Sequence, residues 1–442
     1  MGHWRSTLTT ARKESVLSPS EIKSQKEGPK LCKLWVFSPF FYPEMISTGK
    51  YNSILVQALA ERGAAIEVVT SHPFYPAWRP VRWYGEFEDS SVHRGGAWVR
   101  YPRSILLRRL ILELWFSFHA TYRAWVGRED LTTVVGVFPP SLFFVFMRLL
   151  LPLSARKIGI VHDLQGILGL SGSGFGKRLL YRIVRAVEKN AFRSCDKLIF
   201  LSHSMAKTAA EEYGLHTGKI TVCYPFATVS GSGRAGANLA DLFPADARHV
   251  VYSGALGKKQ NSFLLYKFFR DCAPKLPDVH FHLFSGGPMF EELKKLHNAD
   301  PLERIHFHNL VNEVDLEELY ARSTLQLIPQ TAASSNACLP SKLPNILATG
   351  CAVLAICERE SELAQIIQQA GTGIVAYSWE PSVLSRKLKE ALNMAKLRSR
   401  EQRRADVKNL LLNEFSLDAL VCAVLCERED GTRPAQMAVG MD

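Results

Sequence analysis

Leu339-Pro340-Ser341-Lys342-Leu343-Pro344-Asn345-Ile346-Leu347-Ala348-Thr349-Gly350 runs directly into the apolar stretch Ala352–Ile356. The spacing predicts a short helix closed by Gly350 and followed by a buried strand. Ser341 and Lys342 fall at the start of that helix. There, backbone N–H groups, the helix dipole and a point cation can together hold a phosphate. A second candidate of this kind, Thr48-Gly49-Lys50, opens a helix expected over about 49–62. Gly49 allows a ligand close to the backbone, although an ordinary strand–helix turn accounts for it equally well. Two such loops in two α/β halves point to a ligand carrying a diphosphate, held in a cleft between domains.

Outward from that segment, short apolar strands alternate with helices. Strands are expected at 33–37, 65–70, 133–137, 157–161, 197–201 and 220–223, and again at 249–253, 279–284, 305–307, 324–328, 352–356 and 373–377. Buried strands of this length separated by helices predict parallel sheets covered on both faces. Ser230-Gly231-Ser232-Gly233 breaks the rhythm between the two runs. The expected organisation is a flexible tail over 1–30, an N-terminal domain over 31–228, a linker over 229–247, a C-terminal domain over 248–427 and a tail over 428–442. The fold class is α/β, with two doubly wound Rossmann-like domains facing a central cleft. Ligands of such sheets sit at the carboxyl ends of the strands.

The 442 residues suffice for two domains with their own cores. Nine cysteines, none in a Cys-x-x-Cys pair, argue against a disulfide framework and a structural zinc site. The net charge of +12 is uneven. Residues 1–230 carry 30 Lys and Arg against 17 Asp and Glu, an excess of +13, and the remainder carries 24 against 25. Anionic substrate and anionic membrane are the partners this suits; without a nucleic-acid-reading motif, nucleic acid is not expected. The polar N-terminus lacks the apolar core of a signal peptide, and the longest uncharged stretch, Leu131–Met147, is too short and too rich in proline to span a bilayer. A cytoplasmic location is expected, peripheral at the inner face of the membrane.

Further segments bear on chemistry. Ser253-Gly254-Ala255-Leu256-Gly257-Lys258-Lys259-Gln260 follows a buried strand and reads as a phosphate cradle or as a solvated basic turn. His162, at the end of a strand and beside Asp163, is either a cleft residue or a structural histidine. His72-Pro73-Phe74-Tyr75-Pro76-Ala77-Trp78 suits an acceptor wall or plain loop packing. Gly172-Ser173-Gly174-Phe175-Gly176-Lys177 lacks the spacing of a P-loop, and Arg178 stands where the metal-binding hydroxyl belongs. With no Asp-x-Asp pair in the chain, lysines are the expected counter-ions and no metal site is expected. Leu106–Val126 reads as a basic, aromatic helix, either lying in a membrane interface with Trp115 and Phe116 inserted or packed as core with a charged outer face.

Taken in order, Phe41-Tyr42-Pro43-Glu44 with Gly49-Lys50-Tyr51, His72 to Trp78, Gly136-Val137-Phe138-Pro139-Pro140-Ser141-Leu142-Phe143, Tyr252-Ser253-Gly254 through Lys259-Gln260, and Leu339–Gly350 resemble retaining GT-B glycosyltransferases of family 4, of the colanic-acid and exopolysaccharide type. The similarity covers roughly residues 33–395. It implies a nucleotide-diphosphate sugar as co-substrate, no further cofactor, and a lipid-linked or oligosaccharide acceptor. It places His162 beside the donor sugar, Lys259 (or Lys258) on the diphosphate and Asn309 to Val311 beside the base. Asn345 stands where most members carry a glutamate that grips the ribose, and Ala337 stands where they carry another. Ser341, Lys342 and backbone amides are expected to replace part of that grip. Competing expectations are a nucleotide-sugar epimerase of the same fold and a non-catalytic partner subunit of a polysaccharide assembly complex.

Overall fold

The computed structural model describes residues 33–44, 47–75, 77–88, 90–150, 155–165, 175–231, 238–335 and 339–425. The tails expected at 1–30 and 428–442, the first half of the glycine-rich stretch 172–177 and the Ala337 position lie outside the described residues. The chain forms two compact units. Of the described residues, one holds those up to Cys223 together with Leu417–Leu425; the other spans Tyr224–Ser416.

In the N-terminal unit the order is β1 (Lys33–Phe37), α1 (Ser47–Glu61), β2 (Ala65–Ser71), β3 (Ser90–Gly95), α2 (Ile105–Val126), β4 (Thr133–Phe138), α3 (Leu142–Leu150), β5 (Arg156–Val161), α4 (Phe175–Ser194), β6 (Lys197–Phe200), α5 (His203–Tyr213) and β7 (Ile220–Val222). The strands make one parallel sheet in the order β3-β2-β1-β4-β5-β6-β7. The central strands are buried on both faces, as their apolar runs require. Phe116, Phe138, Phe143, Phe144 and Phe192 fill one side, and a Cβ at Gly136 would run into the Phe144 ring.

Helix α2 corrects the expectation that Trp115 and Phe116 insert into a membrane. Both are buried, and the Trp115 indole donates to the Tyr101 hydroxyl at 2.7 Å. Their side of the helix is core because its carboxylate, Glu113, turns inward and accepts from Ser141 N and Leu142 N, both at 3.0 Å. It thereby caps α3 from a neighbouring helix. Leu107, Leu110, Leu114, Phe118 and Tyr122, at three- and four-residue spacing, form the exposed face instead.

The C-terminal unit contains β8 (Arg248–Ser253), α6 (Ser262–Cys272), β9 (Val279–Ser285), α7 (Pro288–Ala299), β10 (Ile305–Asn309), α8 (Leu316–Arg322), β11 (Leu325–Pro329), α9 (Leu343–Ala348), β12 (Ala352–Ile356), α10 (Glu362–Ala370), β13 (Gly373–Ala376), α11 (Pro381–Leu397) and α12 (Arg400–Asn413). Its parallel sheet runs β10-β9-β8-β11-β12-β13. Both sheets therefore reverse direction beside their first strand, between β1 and β4 and between β8 and β11. These are the positions where doubly wound sheets bind ligands.

The last described helix, α13 (Leu417–Leu425), belongs to the N-terminal unit, not to a C-terminal domain ending at 427. Lys197 Nζ donates to Ala423 O at 2.7 Å, and Arg62 pairs with Asp418 at 3.0 Å. The boundary before the expected linker differs as well: Tyr224 and Thr228, expected in the N-terminal domain over 31–228, sit in the C-terminal unit, with the Tyr224 hydroxyl donating to Glu362 at 2.6 Å.

Candidate functional site

In the N-terminal unit, Gly49 and Lys50 lie inside the first turn of α1 and are buried. The turn is stitched to the loop after β1. Ser53 Oγ accepts from Tyr42 N at 2.9 Å and donates to Gly49 O at 2.8 Å, and Asn52 Nδ2 donates to Ser38 Oγ at 2.9 Å. Burial pulls the Lys50 ammonium down to about 8. Glu44, in the same loop, accepts from Phe74 N and, at 2.6 Å, from Tyr75 N. Its other oxygen, Oε2, is buried without a partner, and desolvation pushes the carboxyl up to about 7. Glu44 thus fixes the His72–Trp78 loop onto the end of β1, a role visible only once the two loops meet in space. Phe74 is buried between Phe40, Trp78 and Tyr101, so that part of the loop is packing. Tyr75 and, further along, Tyr84 are exposed.

His162 follows β5 and extends its pairing, with His162 N donating to Phe138 O at 2.9 Å. Desolvation lowers the imidazole to about 4, so it is neutral near pH 7. Asp163 turns its carboxylate to the Leu164 N–H at 3.1 Å. The loop is anchored by a residue that sequence reasoning missed: Glu188 of α4 accepts from Gln165 N at 2.8 Å and from the Tyr213 hydroxyl at 2.5 Å.

In the C-terminal unit, Lys342 occupies the β8/β11 reversal. Its ammonium donates to Ser253 O at 3.2 Å and Leu327 O at 2.9 Å and lies 4.2 Å from the centre of the Tyr252 ring. Burial pulls it down to about 7. The cation expected at the surface of a helix start is instead committed inward, under the turn that carries Lys259. That turn leaves β8 through Gly254, whose φ of 134° disfavours a side chain. It is fixed by Tyr252 Oη donating to Ala255 O at 2.5 Å and by Thr331 N donating to Lys259 O at 3.1 Å. Helix α9 has six residues, and Lys342 at its cap position makes no side-chain cap. Ser341 is partly buried in the preceding turn.

Asn345 is buried and turned to Thr228: its Oδ1 accepts from Thr228 N at 2.6 Å and its Nδ2 donates to Thr228 Oγ1 at 3.0 Å. Asn309 ends β10 and is exposed. Gly286 and Gly287 went unnoticed in the sequence. They open α7 at the carboxyl end of β9, a Cβ on either would meet nothing within 4 Å, and the neighbouring Ser285 Oγ is buried without a partner. The signal was Ser-Gly-Gly-Pro after an apolar strand.

A hollow of about 460 Å³ lined by Arg322, Arg398, Arg400 and Arg403 lies at the opposite, amino end of β11. Its guanidiniums serve the protein itself: Arg400 donates to Tyr320 O and Ser323 O, and Arg403 to Gly350 O. Among the described residues, no group of three or more His, Cys, Asp or Glu is arranged to hold a metal ion.

Two parallel-sheet α/β units, each with its strand order reversing beside the first strand, are the architecture of a GT-B protein. Residues 49–230 match the model of Glycosyltransferase Family 4 and residues 240–407 that of Glycosyl transferases group 1. Together they take in most of the chain, and they support a GT-B glycosyltransferase of family 4. The chain is 28% identical over 358 residues, 76% of its own length and 86% of the relative's, to WcaI of Escherichia coli (strain K12), named as a colanic acid biosynthesis glycosyl transferase. Among solved structures it is similar to WaaG, a glycosyltransferase involved in lipopolysaccharide biosynthesis. That match has a TM-score of 0.61 and 15% identity and covers 89% of this chain and 99% of that one. It is also similar to sucrose-phosphate synthase from Thermosynechococcus elongatus, with a TM-score of 0.64 and 14% identity over 88% and 96% of the two chains. At these identities the structural matches bear on fold alone.

Proposed function

We propose that the chain transfers a sugar from a nucleoside-diphosphate donor to a hydroxyl of a lipid-linked or oligosaccharide acceptor in exopolysaccharide synthesis, with retention at the anomeric carbon. The observation that carries this reading is the Lys342 ammonium under the β8/β11 reversal, below the turn that presents Lys259. As the bond from the anomeric carbon to the phosphate oxygen breaks, negative charge gathers on the diphosphate. Lys259 meets that charge directly, the amides of the Gly254–Gly257 and Gly286–Gly287 turns add donors, and Lys342 contributes from below. The acceptor oxygen bonds to the same face of the sugar, and its proton passes to the departing phosphate oxygen. His162, neutral near pH 7, positions the donor sugar by hydrogen bonding. Asn309 borders the base, Ser341 adds to the polar grip around the diphosphate, and Gly49 and Lys50 lie on the acceptor side. The reaction needs no metal in this scheme.

The place of Asn345 favours a second reading. A residue occupied with Thr228 gives the ribose no grip, as in a partner subunit that has lost donor binding. One experiment separates the two: release of nucleoside diphosphate from a panel of nucleotide sugars, with and without acceptor glycolipids, in EDTA. Release that requires acceptor supports transfer. Release without acceptor points to hydrolysis, donor interconversion without release points to an epimerase, and absence of donor binding points to the partner subunit.

We further propose that the N-terminal unit attaches to an anionic membrane at the inner face of the cell membrane. No helix among the described residues is long and apolar enough to cross a membrane. Support comes from the +13 balance of residues 1–230 and the exposed face of α2.

A further inference from the structure

One face of the C-terminal sheet carries five histidines on three adjacent strands: His249 on β8, His280 and His282 on β9, and His306 and His308 on β10. None belongs to the site described above. His249 Nε2 lies 2.9 Å from Pro244 O, His249 Nδ1 3.0 Å from His282 Nε2, and His282 Nδ1 3.1 Å from His308 Nε2. His280 Nδ1 and His306 Nε2 form a separate pair at 2.9 Å. The Phe243 ring covers the stack, 4.9 Å from both His249 and His282, and packs with Leu239, Val251, Phe284 and Leu319.

The carbonyl at one end fixes the sense of the whole chain. Pro244 O can only accept, so His249 carries its proton on Nε2 and offers a bare Nδ1. His282 must then donate from Nε2 and accept at Nδ1, and His308 must donate from Nε2. We propose that this stack is an acid-triggered clasp: neutral imidazoles in one sense hold the segment 238–247 and edge strand β10 to the sheet, and proton uptake beyond the end of the chain releases both.

The chain can take one proton at His308 Nδ1 without losing a bond. A second must go to His249 or His282, whose bare nitrogen already accepts, and it breaks the chain while placing like charges side by side. Groups facing the stack reinforce this more than they oppose it. Lys294 and His297 on α7 add positive charge beside His308 and His306, whereas Asp246 on the covering segment favours charge on His249. Asp241 sits on the same segment. On α8, Glu318 is occupied by Arg322 at 2.7 Å and by Leu239 N at 3.1 Å, and at the strand starts Arg248 pairs with Asp278 at 2.7 Å. Burial holds His306 and His308 down to about 4 and lowers His249 and His282 as well. The closed form therefore binds fewer protons than the open one. Its stability is present above the ordinary histidine range and drains away as pH falls from about 6.5 toward 4. Because β10 ends at Asn309, release reaches the segment assigned above to the nucleotide base; only this consequence rests on the transferase reading.

Amide hydrogen exchange on the full chain at about pH 7 and about pH 5, with rates corrected for intrinsic exchange, tests the clasp without any nucleotide. Peptides from β10 and 238–247 should lose protection roughly ten-fold or more at the lower pH, while β4 and β5 keep theirs. The double variant His249→Gln/His282→Gln supplies a donor and an acceptor in the same sense but cannot titrate, and it should hold its protection at both pH values. His282→Phe, which removes the central link, should also lose the pH dependence, and it decides the matter if the double variant does not fold. Equal wild-type protection at both pH values, or variants as acid-labile as the wild type, would overturn the proposal. Nucleotide binding measured separately at pH 7 tests the transferase reading, so the two can fail independently.

Discussion

The carboxamide of Asn345 closes on Thr228 from both ends, accepting from its N–H at 2.6 Å and donating to its hydroxyl at 3.0 Å. This ties the segment after β7 to helix α9. Asn345→Ala should therefore cost about 1–3 kcal/mol of stability, as expected when buried partners are left unpaired, with nucleotide affinity little changed. Chemical denaturation alongside calorimetry checks this. Lost affinity at unchanged stability would instead make Asn345 a ligand contact.

Lys342→Met should flatten the pH dependence of stability. The folded-state ammonium is pulled down to about 7, whereas the unfolded chain holds its proton to near its ordinary value. The wild type should therefore gain stability as pH rises from about 7 toward 10.5, by up to about 1.4 kcal/mol per unit for one proton. The variant should lack that slope in denaturation curves taken across the range. An unchanged slope would mean that Lys342 stays charged in place.

Lys259→Ala should weaken nucleoside-diphosphate binding by roughly ten- to a hundred-fold, the usual size of a charge-assisted hydrogen bond. Nucleoside binding should change little. Equal loss for both ligands in calorimetry would remove Lys259 from the diphosphate.

His162→Ala should lower turnover sharply while leaving thermal unfolding near that of the wild type. Because the ring stays neutral down to about 4, it should add no limb to the pH–rate profile between about pH 5 and 8. A limb in that range that disappears in the variant would show that His162 transfers a proton.

Replacing Leu107, Leu110, Leu114 and Phe118 by serine should reduce co-sedimentation with anionic vesicles. What remains should fall with salt, since each Lys or Arg near such a surface contributes about 1 kcal/mol within a Debye length of roughly 8 Å. Trp115→Ala or Phe116→Ala should unfold the unit instead, because both rings are buried. Unchanged binding by the serine variant would clear the α2 face of any membrane role.

What the sequence disclosed follows from burial. Central strands such as Ala352–Ile356 are apolar runs because both faces are covered, and they read directly. Strand β3, Ser-Ser-Val-His-Arg-Gly, went unread because an edge strand that is half-exposed throughout needs no apolar run. Helix α10 was passed over although Ser361 caps it and Gly371 closes it at a φ of 60°. At the site, residue types could be picked out locally, as with Lys259 and His162. The partners of Lys342, Asn345 and Glu44 could not, since each side chain ends on backbone groups far away in sequence. Trp115 and Phe116 misled because which face of an apolar helix turns inward depends on Glu113 reaching a different helix.

Helix α13 has a consequence for how the protein is made. The N-terminal unit contains the first described residues of the chain and, in Leu417–Leu425, the last described ones. Domains commonly fold as they emerge from the ribosome, but this one must wait for its closing helix until the whole C-terminal unit has been translated. Until then the surfaces around Arg62 and Lys197 that receive the helix are open. A stop codon just before Leu417 would therefore injure the half of the molecule that was synthesised first.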